Sequence, residues 1–283
     1  MKSWKAELAL LFMTFVWGGT FIFTKIGLNF ASPSLYVIIR FSIALTLCLI
    51  FFGKYLKKLE RQTFYNGMVL GLLFGGGFLL QTLGLKLTTV PKSAFITGIT
   101  VVITPFAYWF IEKKKISLWQ KIGVVIAAFG LWLFTNPQFD NLNIGDVLTF
   151  FSTLFWAFYI TYMDVFTRGK NSKEETGQLV ILQFVMAAPI ALTYFLLFER
   201  TDFTLIFSNQ LLISLAYNGI LASFLLTIIH TTVQRYTTPV KAALIFSLEP
   251  VLASLFAMLF IAEIIIFREY TGGAILMFGV LIS

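Results

Sequence analysis

Long apolar runs alternate along this chain with short polar punctuation. Ten runs are long enough, or nearly so, to cross a hydrocarbon core of about 30 Å as helices. They cover residues 6–28, 33–52, 65–84, 92–111, 118–135, 144–163, 178–197, 210–230, 239–261 and 267–283. Charged clusters such as Glu112-Lys113-Lys114-Lys115 separate them, and no connection is long enough for a soluble domain. The first run follows a lysine-bearing start without a small-residue cleavage site, so it reads as the first span and not as a removed signal. The pattern predicts an all-α integral membrane fold with ten transmembrane helices.

Composition agrees. The 283 residues are 58% hydrophobic and 12% charged, against about 25% charged in a soluble domain. A net charge of +8 would suggest nucleic acid in a soluble protein. Here basic residues collecting on one side of a membrane explain it better, and no nucleic-acid partner is expected. The partners expected are a small-molecule substrate and the lipid bilayer. Cys48 is the single cysteine and His230 the single histidine, which argues against a disulfide framework, a metal centre or any cofactor held by such groups.

Charge also sets orientation. With the N-terminus inside, Lys25, Lys86, Lys92, Arg200 and Arg268 fall on the outer side and Arg40 lies within a span. All the other lysines and arginines fall inside. This bias predicts a multi-pass protein of the plasma (inner) membrane with both termini cytoplasmic.

The chain also resembles itself. An offset of 149 residues aligns Thr88-Thr89 with Thr237-Thr238, Lys92 with Lys241, Ala94 with Ala243, Gly123 with Gly272 and Gly130 with Gly279. An offset of 139 aligns Trp17 with Trp156. Residues 1–135 and 136–283 thus read as two five-helix repeats. Five is odd, so the second enters the membrane upside down, and inverted repeats are a transporter architecture.

Several stretches carry a family resemblance. They are FVWGGTFIFTK in the first span, IIRFSIAL in the second, FITGITVVITP in the fourth, NIGDVLTFFSTLFWAFYITYMDVFTR in the sixth and KAALIFSLEPVLASLFAMLFIAE in the ninth, then the Gly272-containing last span. With these the chain resembles the EamA-type ten-span members of the drug/metabolite transporter superfamily over nearly its whole length. The most specific match is Leu248-Glu249-Pro250-Val251 followed by Glu263; where a first-half glutamate would stand, this chain has Lys114. The resemblance implies export of small metabolites, often amino acids or related compounds, driven by ion gradients or by substrate itself. Amino acids, purines, amines and drugs all stay open as substrates, and the oligomeric state is open too.

Glu249 falls near the middle of the ninth span, where a carboxylate is costly and a functional candidate. It is a candidate proton carrier, or a structural glutamate bonded between helices. Pro250 beside it can bend the helix. His230 could relay protons, or be a polar residue near a span end. Arg40 could grip a substrate carboxylate, or partner Glu249 or helix-end carbonyls. Trp17 and Trp156, with Thr20, Phe21 and Tyr159, could line a central cavity for an apolar, planar or cationic substrate, or simply pack helices. Gln81 and Asn218 could bond substrate or bond helix to helix. Glu263 and Lys114 fit snorkelling span ends. Gly67, Gly71 and Gly75 give the third span a smooth face for close packing.

A secondary transporter working by alternating access is the leading reading. A passive channel or facilitator on the same fold is the alternative. An enzyme is not expected: Asn143-Ile144-Gly145-Asp146 lacks the first glycine of an intramembrane aspartyl protease motif, and His230 has no Gly-x-Ser companion. No P-loop is present to drive transport with ATP.

Overall fold

The computed structural model describes residues 2–137, 142–169, 172–254 and 266–283. Helices follow the apolar runs closely. They are α1 (Ser3–Gly27), α2 (Pro33–Phe52, continued by a 3-10 turn over Gly53–Lys58), α3 (Arg61–Leu87), α4 (Val90–Gly98), α5 (Thr100–Glu112), α6 (Leu118–Thr135), α7 (Ile144–Thr167) and α8 (Lys173–Tyr194). After a π turn at Phe195–Glu199 come α9 (Asn209–Ala216), a π segment (Tyr217–Leu225), α10 (Leu226–Val233) and α11 (Pro239–Phe246). Residues 249–254 begin α12, and α13 is Phe267–Ile282.

Taken with their continuations, eight of these stretches are long and apolar enough to cross a membrane. The chain is a multi-pass, all-helical membrane protein. The ninth expected span begins with α11 and α12, and its remainder, with Glu263, lies outside the described residues. The tenth expected span coincides with α13, which at 16 residues is not among the eight. Large apolar side chains such as Ile50, Phe106 and Val125 point outward, each more than two-thirds exposed. In water such a surface would be a liability; against lipid tails it is matched.

Between helices in lipid, close packing does the work that hydrophobic burial does in water. α3 lies along α8, where a Cβ added at Gly71 would come within 2.7 Å of the Gln183 carbonyl oxygen and one at Gly75 within 2.6 Å of Ala187 Cα. The expected smooth glycine face is therefore filled by a neighbouring backbone. α6 and α13 meet in the same manner. A Cβ at Gly123 would fall 2.7 Å from the Gly279 oxygen, and one at Gly130 would fall 2.9 Å from the Gly272 oxygen. The 149-residue offset aligns the same four glycines in the crossed sense, Gly123 with Gly272 and Gly130 with Gly279.

Two spans are interrupted. α4 ends at Gly98 and α5 starts at Thr100; α11 ends at Phe246 and α12 starts at Glu249. The second break has a plain cause. Pro250 has no N–H for the Phe246 carbonyl four residues back, and its ring crowds that carbonyl. A hydroxyl serves each break: Thr100 Oγ1 donates to the Thr97 oxygen at 2.6 Å, and Ser247 Oγ to the Leu244 oxygen at 2.7 Å.

Candidate functional site

Both interruptions border one central cavity. Irregular backbone at membrane depth is tolerated where it lines such a space. The space between the cavity's walls, its open mouth included, is about 570 Å³. Its walls come from α1 (Trp17, Thr20), α3 (Phe78, Gln81), the α4–α5 break (Thr97, Gly98, Thr100), α7 (Trp156, Tyr159, Ile160), α10 (His230) and the α11–α12 break (Ala243, Phe246, Ser247, Glu249).

The walls are mostly aromatic. Trp17 meets Phe246 at 5.1 Å between ring centroids and His230 edge-on at 6.0 Å. Trp156 stands edge-on to Phe78 at 4.7 Å and to Tyr159 at 5.8 Å. The polar atoms divide into anchored and unanchored sets. Trp17 Nε1 donates to the Ala222 oxygen at 3.2 Å, Tyr159 Oη donates to Gln183 Oε1 at 2.7 Å, and Gln81 Nε2 donates to Thr97 Oγ1 at 3.0 Å. These bonds fix the walls. By contrast Trp156 Nε1 and His230 Nδ1 are buried with no hydrogen-bond partner, while His230 Nε2 bonds Gln234 at 3.0 Å. Among the described residues the Glu249 carboxylate forms no hydrogen bond or ion pair. Gly18 lets α1 approach the α12 backbone beside it, since a Cβ there would sit 3.3 Å from the Glu249 carbonyl oxygen.

Of the expected site residues, Trp17, Thr20, Gln81, Trp156, Tyr159, His230 and Glu249 line this one cavity. Phe21, Arg40 and Asn218 do not. Phe21 packs against Leu85 and Ala94. Arg40 is buried behind the wall: its Nε donates to Ser223 Oγ at 2.7 Å and its guanidinium lies 4.2 Å from the Phe78 ring centroid. Asn218 Nδ2 donates to Tyr36 Oη at 2.7 Å and to Thr24 Oγ1 at 3.3 Å, tying α1, α2 and the π segment together.

Sequence reasoning missed Thr100, Ser247, Phe246 and Thr97, though the offsets point to them. At 149 residues, Gln81 aligns with His230, Thr97 with Phe246, Gly98 with Ser247 and Thr100 with Glu249. At 139, Trp17 aligns with Trp156 and Thr20 with Tyr159. Both members of all six pairs line the cavity.

Comparison with known proteins decides the family. The EamA-like transporter family matches residues 4–136 and again residues 143–283. The chain belongs to the EamA-like transporter family. A relative from Archaeoglobus fulgidus, described as an uncharacterized transporter, is 30% identical over 282 residues, all of this chain and 86% of its own. The uncharacterized transporter YoaV of Bacillus subtilis is 22% identical over 99% of this chain and 96% of its own. A crystal structure with 13% identity superposes on the whole chain and on 96% of its own with a TM-score of 0.76, which shows the shared fold. Family and relatives speak for transport.

The polar ends hold a second feature, an open vestibule of about 1020 Å³ near the start of α1. It is lined by Glu7, Lys114, Asp164, Arg168, Arg235 and Lys241 among others. Arg168 bridges Glu112 at 2.8 Å and also pairs with Asp164. Its two carboxylate partners hold the guanidinium above its ordinary pKa, so it stays charged. Lys114, expected at a span end, is exposed there and pairs with Glu112 at 2.7 Å.

Proposed function

We propose that this EamA-like protein is a secondary transporter that exports small metabolites, amino acids or related compounds, by alternating access. Its halves, residues 1–135 and 136–283, are inverted five-helix repeats of a ten-span bundle in the plasma membrane, with both termini cytoplasmic. Support for the repeat comes from the double family match, the two helix breaks at equivalent positions and the six paired lining residues.

The observation that carries the reading is the central cavity, where aromatic rings share the walls with a carboxylate that has no hydrogen-bond or ion-pair partner among the described residues. An ionised carboxylate left unpaired in a low-dielectric site costs several kcal/mol. A proton or a substrate cation removes that cost. The ring faces favour a positively charged nitrogen by about 0.5–2 kcal/mol each, and the free Trp156 N–H offers a donor to an acceptor on the same molecule. An ammonium group on an apolar body, as in an amino acid, fits these demands. Exchange of that cation for a proton at Glu249, with His230 lining the same cavity, gives the coupling. Arg40, Phe21 and Asn218 hold the cavity walls from behind.

Counterflow in proteoliposomes tests the proposal, using labelled aromatic and aliphatic amino acids, purines and a quaternary amine. Saturable exchange of a compound with a cationic nitrogen is expected. Flux that neither saturates nor shows counterflow would make the protein a passive facilitator instead.

A further inference from the structure

The same two offsets relate a pair of ion pairs outside the cavity. Lys92 Nζ lies 2.7 Å from Asp146 Oδ2, and Lys241 Nζ lies 3.3 Å from Glu7 Oε1. Lys92 aligns with Lys241 at 149 residues, and Glu7 aligns with Asp146 at 139. Each pair joins the first two turns of a span in the first half to the first turn of a span in the second. Short connections make successive spans alternate in direction. Glu7 on the first span and Lys241 on the ninth therefore belong to the face where α1 begins. Lys92 on the fourth span and Asp146 on the sixth belong to the opposite face.

The two pairs differ in state. On the far face Asp146 is 4% exposed and Lys92 19%. Asp146 also accepts Thr88 Oγ1 at 2.5 Å and the Asn143 N–H at 3.0 Å. Lys25 tightens the same end, donating to the Thr88 oxygen at 2.8 Å and the Leu85 oxygen at 2.6 Å. On the near face Glu7 and Lys241 are 24% and 28% exposed and border the open vestibule. Thr237, the equivalent of Thr88 at 149 residues, has a buried hydroxyl with no partner. The hydroxyl that completes the far pair thus stands idle at the near one.

We propose that Lys92–Asp146–Thr88 and Lys241–Glu7–Thr237 are equivalent gates on opposite faces, closed in alternation, with the far gate fully bonded in this structure and the near gate only partly so, its ion pair made and its threonine hydroxyl unused. Closing the near gate brings Thr237 Oγ1 onto the Glu7 carboxylate as Thr88 now sits on Asp146. Opening the far gate releases Lys92 and Thr88. The proposal rests on the alternating-access reading and adds the groups that set which face is open.

Site-directed labelling tests it without any substrate. A cysteine replaces Thr100 in the cavity, in a Cys48→Ala background. A membrane-impermeant maleimide is applied to right-side-out and inside-out vesicles. In the parent the near face labels faster. Lys92→Gln and Thr88→Val each shift the ratio of rates toward the far face by about tenfold, within the range of ordinary coupling energies. Lys241→Gln and Thr237→Val shift it the other way. Lys92 is used first because Asp146 also caps α7 through Asn143, and its removal would disturb the helix start. The exchange Glu7→Lys with Lys241→Glu, which touches no helix cap, restores the parental ratio and distinguishes gating from misfolding. Lysine variants that leave the ratio unchanged, or move it in the same direction, overturn the gates. Opposite shifts in a protein that shows no counterflow would keep the gates and reject the carrier.

Discussion

The α6–α13 seam predicts a sharp size limit at Gly272. A methyl group there would press on the Phe134 amide, lie 2.6 Å from Phe134 Cα and lie 2.9 Å from the Gly130 oxygen. All these atoms are backbone, so no side chain can rotate away. Relaxing to ordinary contact at about 3.5–4.0 Å requires the two helices to separate by about 1 Å. Overpacking of this kind costs about 1–3 kcal/mol, or about 2–4 °C in melting temperature per kcal/mol for a chain approaching this size. Gly272→Ala should therefore lower the midpoint of thermal unfolding in detergent by several degrees, followed by tryptophan fluorescence. Gly53→Ala is the matched control. Nothing lies within 4 Å of its added Cβ and its φ of −55° suits any residue, so its midpoint should hold or rise slightly. Equal midpoints for the two variants would refute the close backbone approach. Because the seam lies away from the cavity, substrate affinity should survive in both.

Other consequences follow from the anchored and unanchored groups of the cavity. Trp156→Phe removes an N–H that bonds nothing among the described residues and should weaken substrate binding, read as a higher half-saturation in counterflow, with little change in stability. Trp17→Phe removes the bond to Ala222 and should cost about 1 kcal/mol in thermal unfolding; equal stability in the two variants would contradict the assignment. Tyr159→Phe strands Gln183 Oε1 in a buried site, so a loss of about 1–3 kcal/mol is expected, and an unchanged melt would argue against that bond.

Much of the fold was legible because span length and apolarity answer to one constraint, the thickness of the hydrocarbon core. The expected starts at Pro33, Leu118, Ile144 and Phe267 match the helices, since Pro at a first turn, the Ser117 and Asn143 caps and charged boundaries write the ends into local sequence. The breaks were less legible. Pro250 announced a bend, but the interruption falls just before it, at Ser247–Leu248. The Ile99 break has no proline at the matching position, and Pro105 sits unbroken inside α5. The cavity was partly legible. Polar and aromatic residues within spans stood out, and seven of them converge. Arg40 and Asn218 stood out for the same reason but do not line the cavity; Arg40 bonds Ser223 and Asn218 bonds Tyr36 and Thr24, while Arg40 Nη2 and Asn218 Oδ1 have no partner among the described residues. Thr97, Thr100 and Ser247 are ordinary span residues by type. Only alignment of one half on the other marks them.

The central claim is that the Glu249 carboxylate in the aromatic cavity binds substrate and proton in turn. Counterflow by the native protein and by Glu249→Gln, each at two pH values, tests it most directly. The account predicts saturable exchange of a cationic substrate that depends on pH in the native protein, and in the variant a loss of at least about tenfold in affinity, worth about 1.4 kcal/mol, with no remaining pH dependence. Exchange that is equally tight and equally pH-dependent in both proteins would contradict it.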